Sequence, residues 1–201
     1  MRTILRFVLV FLVLAPLCRA AVAAGDGSQL PLPSGVDVGL VVFEDLQCPD
    51  CAHAHPMLLE AAKAANVPLI VHDFPISRHA WAFPAAIFAR YFTLDSPELG
   101  MQFRTVVFQK QKDISPATLR SLAEQFAHDH GLGNLPSQID ADGKLLSLVQ
   151  EDFDLGTKIG LQYVPLIFVI SRNAGWVEVT DPTQLAAIID NVRTKQRHAA
   201  R

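Results

Sequence analysis

The segment from Val38 to Asp73 constrains the fold more than any other part of the chain. Val38 to Phe43 is a short, mostly β-branched apolar run, which predicts a buried strand. It stops at Glu44-Asp45-Leu46-Gln47, and Cys48-Pro49-Asp50-Cys51 follows at once. From Pro49 to Ala65 good helix formers dominate (Ala52, Ala54, Met57, Leu58, Leu59, Ala61, Ala62 and Lys63), and Pro49 suits a first helical turn, where its missing N–H costs nothing. Asn66 ends this helix, and Pro68 to Asp73 is a second strand with Leu69-Ile70-Val71 as its core. Strand, helix and strand in about 35 residues make a βαβ unit, hence a parallel pair with a right-handed crossover.

The middle of the chain predicts helices: Ala80 to Phe92, then a helix capped by Ser96 with Pro97 in its first turn, running to about Gln111. Ser115-Pro116 repeats the start signal for a helix reaching His130, and another covers about Gly143 to Ile159, closed by Gly160. The end returns to strands. Leu166 to Ile170 is an apolar run, Asn173-Ala174-Gly175 a turn, and Trp176 to Val179 an alternating partner. Asp181-Pro182 starts a last helix to about Arg193, and the polar residues 195–201 predict a frayed tail. Half the residues are hydrophobic and 18% charged, enough apolar matter for one packed domain. The expected architecture is α/β with a mixed four-stranded sheet over 38–194, with a helical insertion at about 78–160 between a βαβ half and a ββα half.

Residues 1–23 read as a leader. Arg2 and Arg6 precede an apolar run, Phe7 to Leu17, which is short for a membrane span, and Ala21-Val22-Ala23 supplies a small-x-small exit. Cleavage after Ala23 removes Arg2, Arg6, Arg19 and Cys18 but no acid, moving the formal charge from −3 to −6. Residues 24–37, rich in Gly, Pro and Ser, form a flexible lead-in. The mature chain is then exported, with the periplasm as its expected compartment, and has no further apolar run long enough to span a membrane. An acidic chain has no basic surplus for nucleic acid.

Two cysteines, Cys48 and Cys51, remain in a compartment that permits disulfides. A Cys-x-x-Cys at a strand-to-helix junction reads as a redox motif. A thiolate at a helix N-terminus lies beside unpaired N–H groups and the positive end of the helix dipole, which lowers its pKa. Cys48 is thus the attacking sulfur, and Cys51, one turn in and more buried, resolves the mixed disulfide. Pro165, directly before an apolar strand, is the candidate for a cis bond after Val164.

Phe43-Glu44-Asp45-Leu46-Gln47-Cys48-Pro49-Asp50-Cys51 resembles the active-site stretch of the DsbA-like branch of the thioredoxin superfamily. Asp73-Phe74-Pro75, with His79-Ala80-Trp81-Ala82 after it, resembles the segment behind that branch's second strand, and Gly160 to Phe168 its Gly-to-cis-Pro stretch. The resemblance implies a thioredoxin fold and disulfide exchange with unfolded or disulfide-containing exported proteins. Val164 and Pro165 would bind the client backbone, and a membrane redox partner would be needed. It implies no cofactor, the cysteine pair being the redox centre.

Two departures concern the direction of exchange. Strong oxidases of the family carry histidine where this chain has Asp50, and a carboxylate there would oppose a thiolate, placing Cys48 in the upper part of a range of about 3.5 to 7. Val164 resembles the oxidase pattern instead. Val42 also occupies the place of thioredoxin's buried acid, leaving Glu44 and Asp45 as candidates for proton transfer.

Other readings are weaker. Cys48-x-x-Cys51-x-His53-x-His55 could offer soft metal ligands, but on a helix His53 points away from the Cys51–His55 face. His55 is then expected as a surface or groove residue, and His72 and His79 as packing or capping groups. The apolar insertion (Trp81, Phe83, Ile87, Phe88, Tyr91 and Phe92) could line a chaperone-like groove, although helix-period apolar residues usually fill a core. Nothing places partners for a Cys-His hydrolase, and a purely structural disulfide across so short a loop stabilises little.

Overall fold

The computed structural model describes residues 24–25, 30 and 32–200. The leader, its cleavage site and Cys18 lie outside them. Strand β1 (Ala24–Gly25) is followed by β2 (Val38–Glu44), α1 (Pro49–Ala65) and β3 (Leu69–Asp73). The insertion carries α2 (Ala82–Thr93), α3 (Pro97–Gln109), α4 (Leu119–Asp129) and α5 (Lys144–Lys158). Then come β4 (Leu166–Ser171), β5 (Gly175–Glu178) and α6 (Leu185–Ala199).

The sheet order is β1-β5-β4-β2-β3. β2 and β3 run parallel, with Val42 opposite Val71, whereas β2–β4 and β4–β5 are antiparallel. These four strands form the expected mixed sheet, and the short β1 pairs with β5 at its edge.

β2 lies at the centre and is buried along its whole length, which explains its unbroken apolar sequence. Its alternation divides the core. Leu40 and Val42 pack with Ala54, Leu58 and Ala62 of α1 and with Leu185, Ile189 and Val192 of α6. Val41 and Phe43 pack on the other face, in a cluster with Phe88, Phe92, Phe103 and Phe126 of the insertion. Trp81, Phe88 and Phe92 of the insertion therefore fill a core, Trp81 being only 3% exposed, whereas Phe83 lies outside it.

Three local features differ from expectation. α4 begins at Leu119, because Ser115 and Thr118 close a turn on each other's backbone N–H groups. The lead-in is partly anchored: Leu30 is buried, and Arg172 donates to the carbonyls of Pro33 and Val36. The tail is not frayed from Lys195, since α6 continues to Ala199. Gln196 follows Ile189 and Val192 on the inward stripe and is itself buried. It accepts hydrogen bonds from Ser171 Oγ (2.5 Å) and Asn173 N (2.9 Å), pinning the β4–β5 turn to the helix.

Candidate active site

Cys48 is the N-cap of α1, with extended backbone (φ −81°, ψ 122°) and Pro49 as the next residue. No side chain caps this helix end, so its free N–H groups face the sulfur. Cys51 lies one turn in, and the two cysteines come within 3.6 Å of one another as free thiols. Both cysteines are buried, Cys48 at 6% exposed and Cys51 more deeply at 1%.

The Cys48 pKa is lowered to about 6. The Cys51 thiol, hydrogen-bonded to the Cys48 sulfur, contributes most; burial opposes it, and the backbone N–H groups of Cys51 and Asp50 add to the lowering. This value lies in the upper part of the expected range, but the cause differs from the one expected of Asp50. Asp50 is exposed and acts through its amide, which favours the thiolate, while the carboxylate that opposes it is that of Asp45. Cys51 is pushed far up by burial, and its hydrogen bond to Cys48 adds to this. The asymmetry leaves one nucleophile at neutral pH.

The thiolate absorbance of the reduced protein should therefore titrate with a midpoint near 6. The group is depressed in the folded state, so its stabilising contribution is complete above the unfolded value of about 9 and is lost as pH falls through about 6. Only the reduced form has this thiol. Reduced protein should gain stability relative to oxidised protein as pH rises through that window, and parallel denaturation curves of the two forms would expose a failure.

The Val164–Pro165 peptide is cis. Gly160, at φ +78°, turns the chain out of α5 toward it, a conformation that favours glycine. The loop brings the Val164 carbonyl to 3.7 Å from Cys48 Sγ, across 116 residues of chain. Between this loop and the cysteines runs a groove of about 600 Å³ whose wall includes Cys48, Asp50, Phe74, Phe83, Phe153 and Val164. A separate cavity of about 380 Å³ beyond Gln162 and Tyr163 contains neither cysteine.

Asp45 organises the loop before the cysteines. Its Oδ1 accepts from Gln47 N (2.6 Å), and its Oδ2 from Ile76 N and His79 Nδ1 (both 2.7 Å). Its own N–H points at Cys51 Sγ at 3.5 Å. Gln111, just past α3, donates to the Leu46 and Cys48 carbonyls at 2.9 and 3.0 Å. His79 thus holds the loop.

Glu44 and Asp45, the candidates for proton transfer, are both buried (2% and 1% exposed): Glu44 ends β2 and Asp45 begins the loop after it. Glu44 enters a chain of charges that sequence reasoning missed. Arg104 of α3 donates Nη1 to Glu44 Oε1 (3.0 Å) and Nη2 to Asp73 Oδ1 (2.6 Å). Arg90 of α2 joins Asp73 (2.6 Å) to Asp152 of α5, and His72 donates Nδ1 to Asp152 at 2.6 Å. Burial raises the Glu44 pKa to about 7, with Arg104 opposing. The available signal was positional: Arg104 lies on the same helical stripe as Gly100, Phe103, Val107 and Phe108.

His55 is not a surface or groove residue. It is 2% exposed, between Glu44 and Thr105, with its ring against Phe108. His53 is exposed while Cys51 and His55 are buried, so the three do not converge. Among the described residues no group of three or more His, Cys, Asp or Glu side chains is placed to hold a metal, and no helix is long and apolar enough to cross a membrane.

A family model described as thioredoxin matches residues 36–191. The chain belongs to the thioredoxin family. Its fold is that of several solved structures. One is α-DsbA1 of Wolbachia pipientis, matched with a TM-score of 0.66 at 18% identity over 86% of this chain and 97% of that chain. The catalytic domain of Proteus mirabilis ScsC matches at 0.63 and 17%, over 82% and 86% of the two chains. A periplasmic thioredoxin-like protein of Salmonella enterica serovar Typhimurium matches at 0.62 and 20%, over 82% and 87%. No curated protein matches the sequence.

Proposed function

We propose that this chain is an exported thiol–disulfide oxidoreductase acting on secreted proteins through Cys48-Pro49-Asp50-Cys51. The observation that carries the reading is the asymmetric pair, a Cys48 lowered to about 6 beside a buried Cys51 at a helix start. In the oxidised form a client thiolate attacks Cys48 Sγ, the Cys48–Cys51 bond breaks, and Cys51 leaves as a thiolate that takes up a proton. A second client thiolate then attacks the client sulfur of the mixed disulfide. The client disulfide forms, Cys48 leaves as a thiolate, and two electrons have passed from client to protein. In the reductive direction Cys48 attacks a client disulfide and Cys51, after losing its proton, displaces the client from Cys48. The dithiol holds both electrons, so the reaction needs no bound cofactor.

The groove beside Val164 and Pro165 is the place for the client, whose backbone would lie along the loop in strand-like pairing while an apolar side chain meets Phe74, Phe83 and Phe153. The leader at residues 1–23 supports export, and a membrane redox partner would reset the pair. Glu44 is the candidate proton acceptor for Cys51; Asp45, with both oxygens occupied by loop donors, holds the loop.

Equilibration of the purified protein with glutathione tests the reading. A two-electron exchange of Cys48 and Cys51 is expected, with a potential between those of DsbA (about −120 mV) and thioredoxin (about −270 mV). A pair that never equilibrates with glutathione would overturn it.

A further inference from the structure

Among the described residues, His55 Nδ1 is the one fully buried side-chain nitrogen or oxygen without a hydrogen-bond partner. A buried nitrogen left bare is costly, and here the surroundings determine its protonation. Thr105 Oγ1 spends its only hydrogen on the Met101 carbonyl (3.0 Å), so it can only accept from His55 Nε2 at 2.9 Å. The ring therefore carries hydrogen on Nε2 and a bare lone pair on Nδ1. Glu44 Oε2 lies 3.9 Å from that nitrogen, beyond hydrogen-bond length. Glu44 Oε1 is already taken by Arg104, so Oε2 is the oxygen left for another contact.

A bare lone pair and an ionised oxygen repel each other, and a proton between them turns the contact into a hydrogen bond. We propose that Glu44, when ionised, takes the proton of the resolving thiol Cys51 and then shares it with His55, Glu44 Oε2 carrying it and His55 Nδ1 closing in from 3.9 Å to accept the hydrogen bond. This rests on the oxidoreductase reading. When Cys51 resolves a mixed disulfide, its S–H proton passes to Glu44 directly or through one water. The Cys51 thiolate then attacks Cys48 Sγ, the bond from Cys48 to the client breaks, and the client leaves as a thiolate. In the oxidative direction the same proton returns to Cys51 as it leaves Cys48. His55 is a positioning residue, because it acts through Glu44.

The neighbouring charges agree with the placement. Arg104 from α3, Asp73 from β3, Asp45 from the following loop and Cys51 from α1 surround the pair. Burial and then Arg104 hold His55 down to about 4, whereas burial holds Glu44 up to about 7. Between those values the pair carries one proton, on the carboxyl. A raised carboxyl pKa also carries a stability sign. The contribution is complete below the unfolded value of 4.5 and is lost as pH rises through about 7.

NMR of the histidine ring nitrogens in the wild-type protein tests the pair without any substitution. The expected His55 is neutral at pH 6 with its proton on Nε2, and its Nδ1 resonance moves with a midpoint near 7. An Nδ1–H tautomer, an imidazolium at pH 6 or an Nδ1 resonance flat through that range would overturn the proposal. A kinetic arm uses Glu44→Gln and His55→Gln, the latter keeping an amide donor for Thr105. The wild-type rate at which Cys51 displaces an aromatic thiol from Cys48 should rise with pH through the same midpoint. His55→Gln should move that midpoint down by about one unit, because the neutral carboxyl loses its acceptor, and Glu44→Gln should abolish it. A His55→Gln midpoint equal to wild type assigns His55 a packing role and overturns the proposal. The NMR signature does not depend on clients: a protein that shows it yet exchanges no disulfides refutes the oxidoreductase reading alone.

Discussion

Replacing Cys51 with alanine should convert the protein from a turnover catalyst into a trap. Cys48 would still attack a client disulfide, but no internal thiol could release the product, so a covalent mixed disulfide should accumulate at Cys48. Cys48→Ala should form none. Turnover with a disulfide-bonded peptide should fall in both variants by about three orders of magnitude or more, as when a covalent nucleophile is removed. Mass spectrometry of quenched reactions separates the two. A further effect follows from the origin of the Cys48 acidity. The Cys51 thiol contributes most to lowering it, so Cys51→Ala should raise the thiolate midpoint above about 6. Cys51→Ala protein that captures no client, or a trap that forms equally well on Cys48→Ala, would refute the division of roles.

Arg104→Met should cost about 3–5 kcal/mol of stability at pH 8, the usual cost of breaking a buried ion pair from one side. The variant leaves Glu44 without its cation and Asp73 with Arg90 alone. The Glu44 carboxyl, held down in part by Arg104, should climb above about 7 and be protonated more readily as pH falls. The penalty should therefore shrink toward acid, and urea unfolding at pH 8 and pH 5 would measure the difference. Arg104→Lys should recover only part of the loss, because an ammonium lacks the planar fork that reaches Glu44 and Asp73 together. Equal stability of Arg104→Met and wild type at pH 8 would mean that these charges are not holding α3 to the sheet.

The βαβ start, the insertion and the returning strands were legible because each carries a strong local period: unbroken apolar residues in β2 and β4, and capped helical stripes such as Ser96-Pro97 before α3. The placement of Cys48 and Cys51 at a helix start was legible because it depends on a junction only a few residues long. The charge chain was not, because Glu44 meets Arg104 across 60 residues and His72 meets Asp152 across 80. Periodicity reports which face of a helix is inward but not which strand it lands on. Arg104 still left a trace, as a cation on an apolar stripe. His55 was misplaced for a related reason: four residues after Cys51 fixes its face, but not that α3 would cover it with Thr105 and Phe108. The end of α6 was misread from composition, since its polar residues suggested fraying while the spacing of Ile189, Val192 and Gln196 continued the stripe.

Gln111 also bears on the ancestry of such chains. The insertion reaches back to bind the Cys48 carbonyl through Gln111, Glu44 through Arg104, and the loop before the cysteines through His79. A segment that interrupts a fold while completing its reactive centre cannot be exchanged as a cassette. A chimaera joining this βαβ half to a relative's insertion would inherit mismatched partners at three points around one sulfur pair. Successful recombinants should therefore be those that carry the insertion and the strand before Cys48 together, as one heritable unit split in sequence and joined in space.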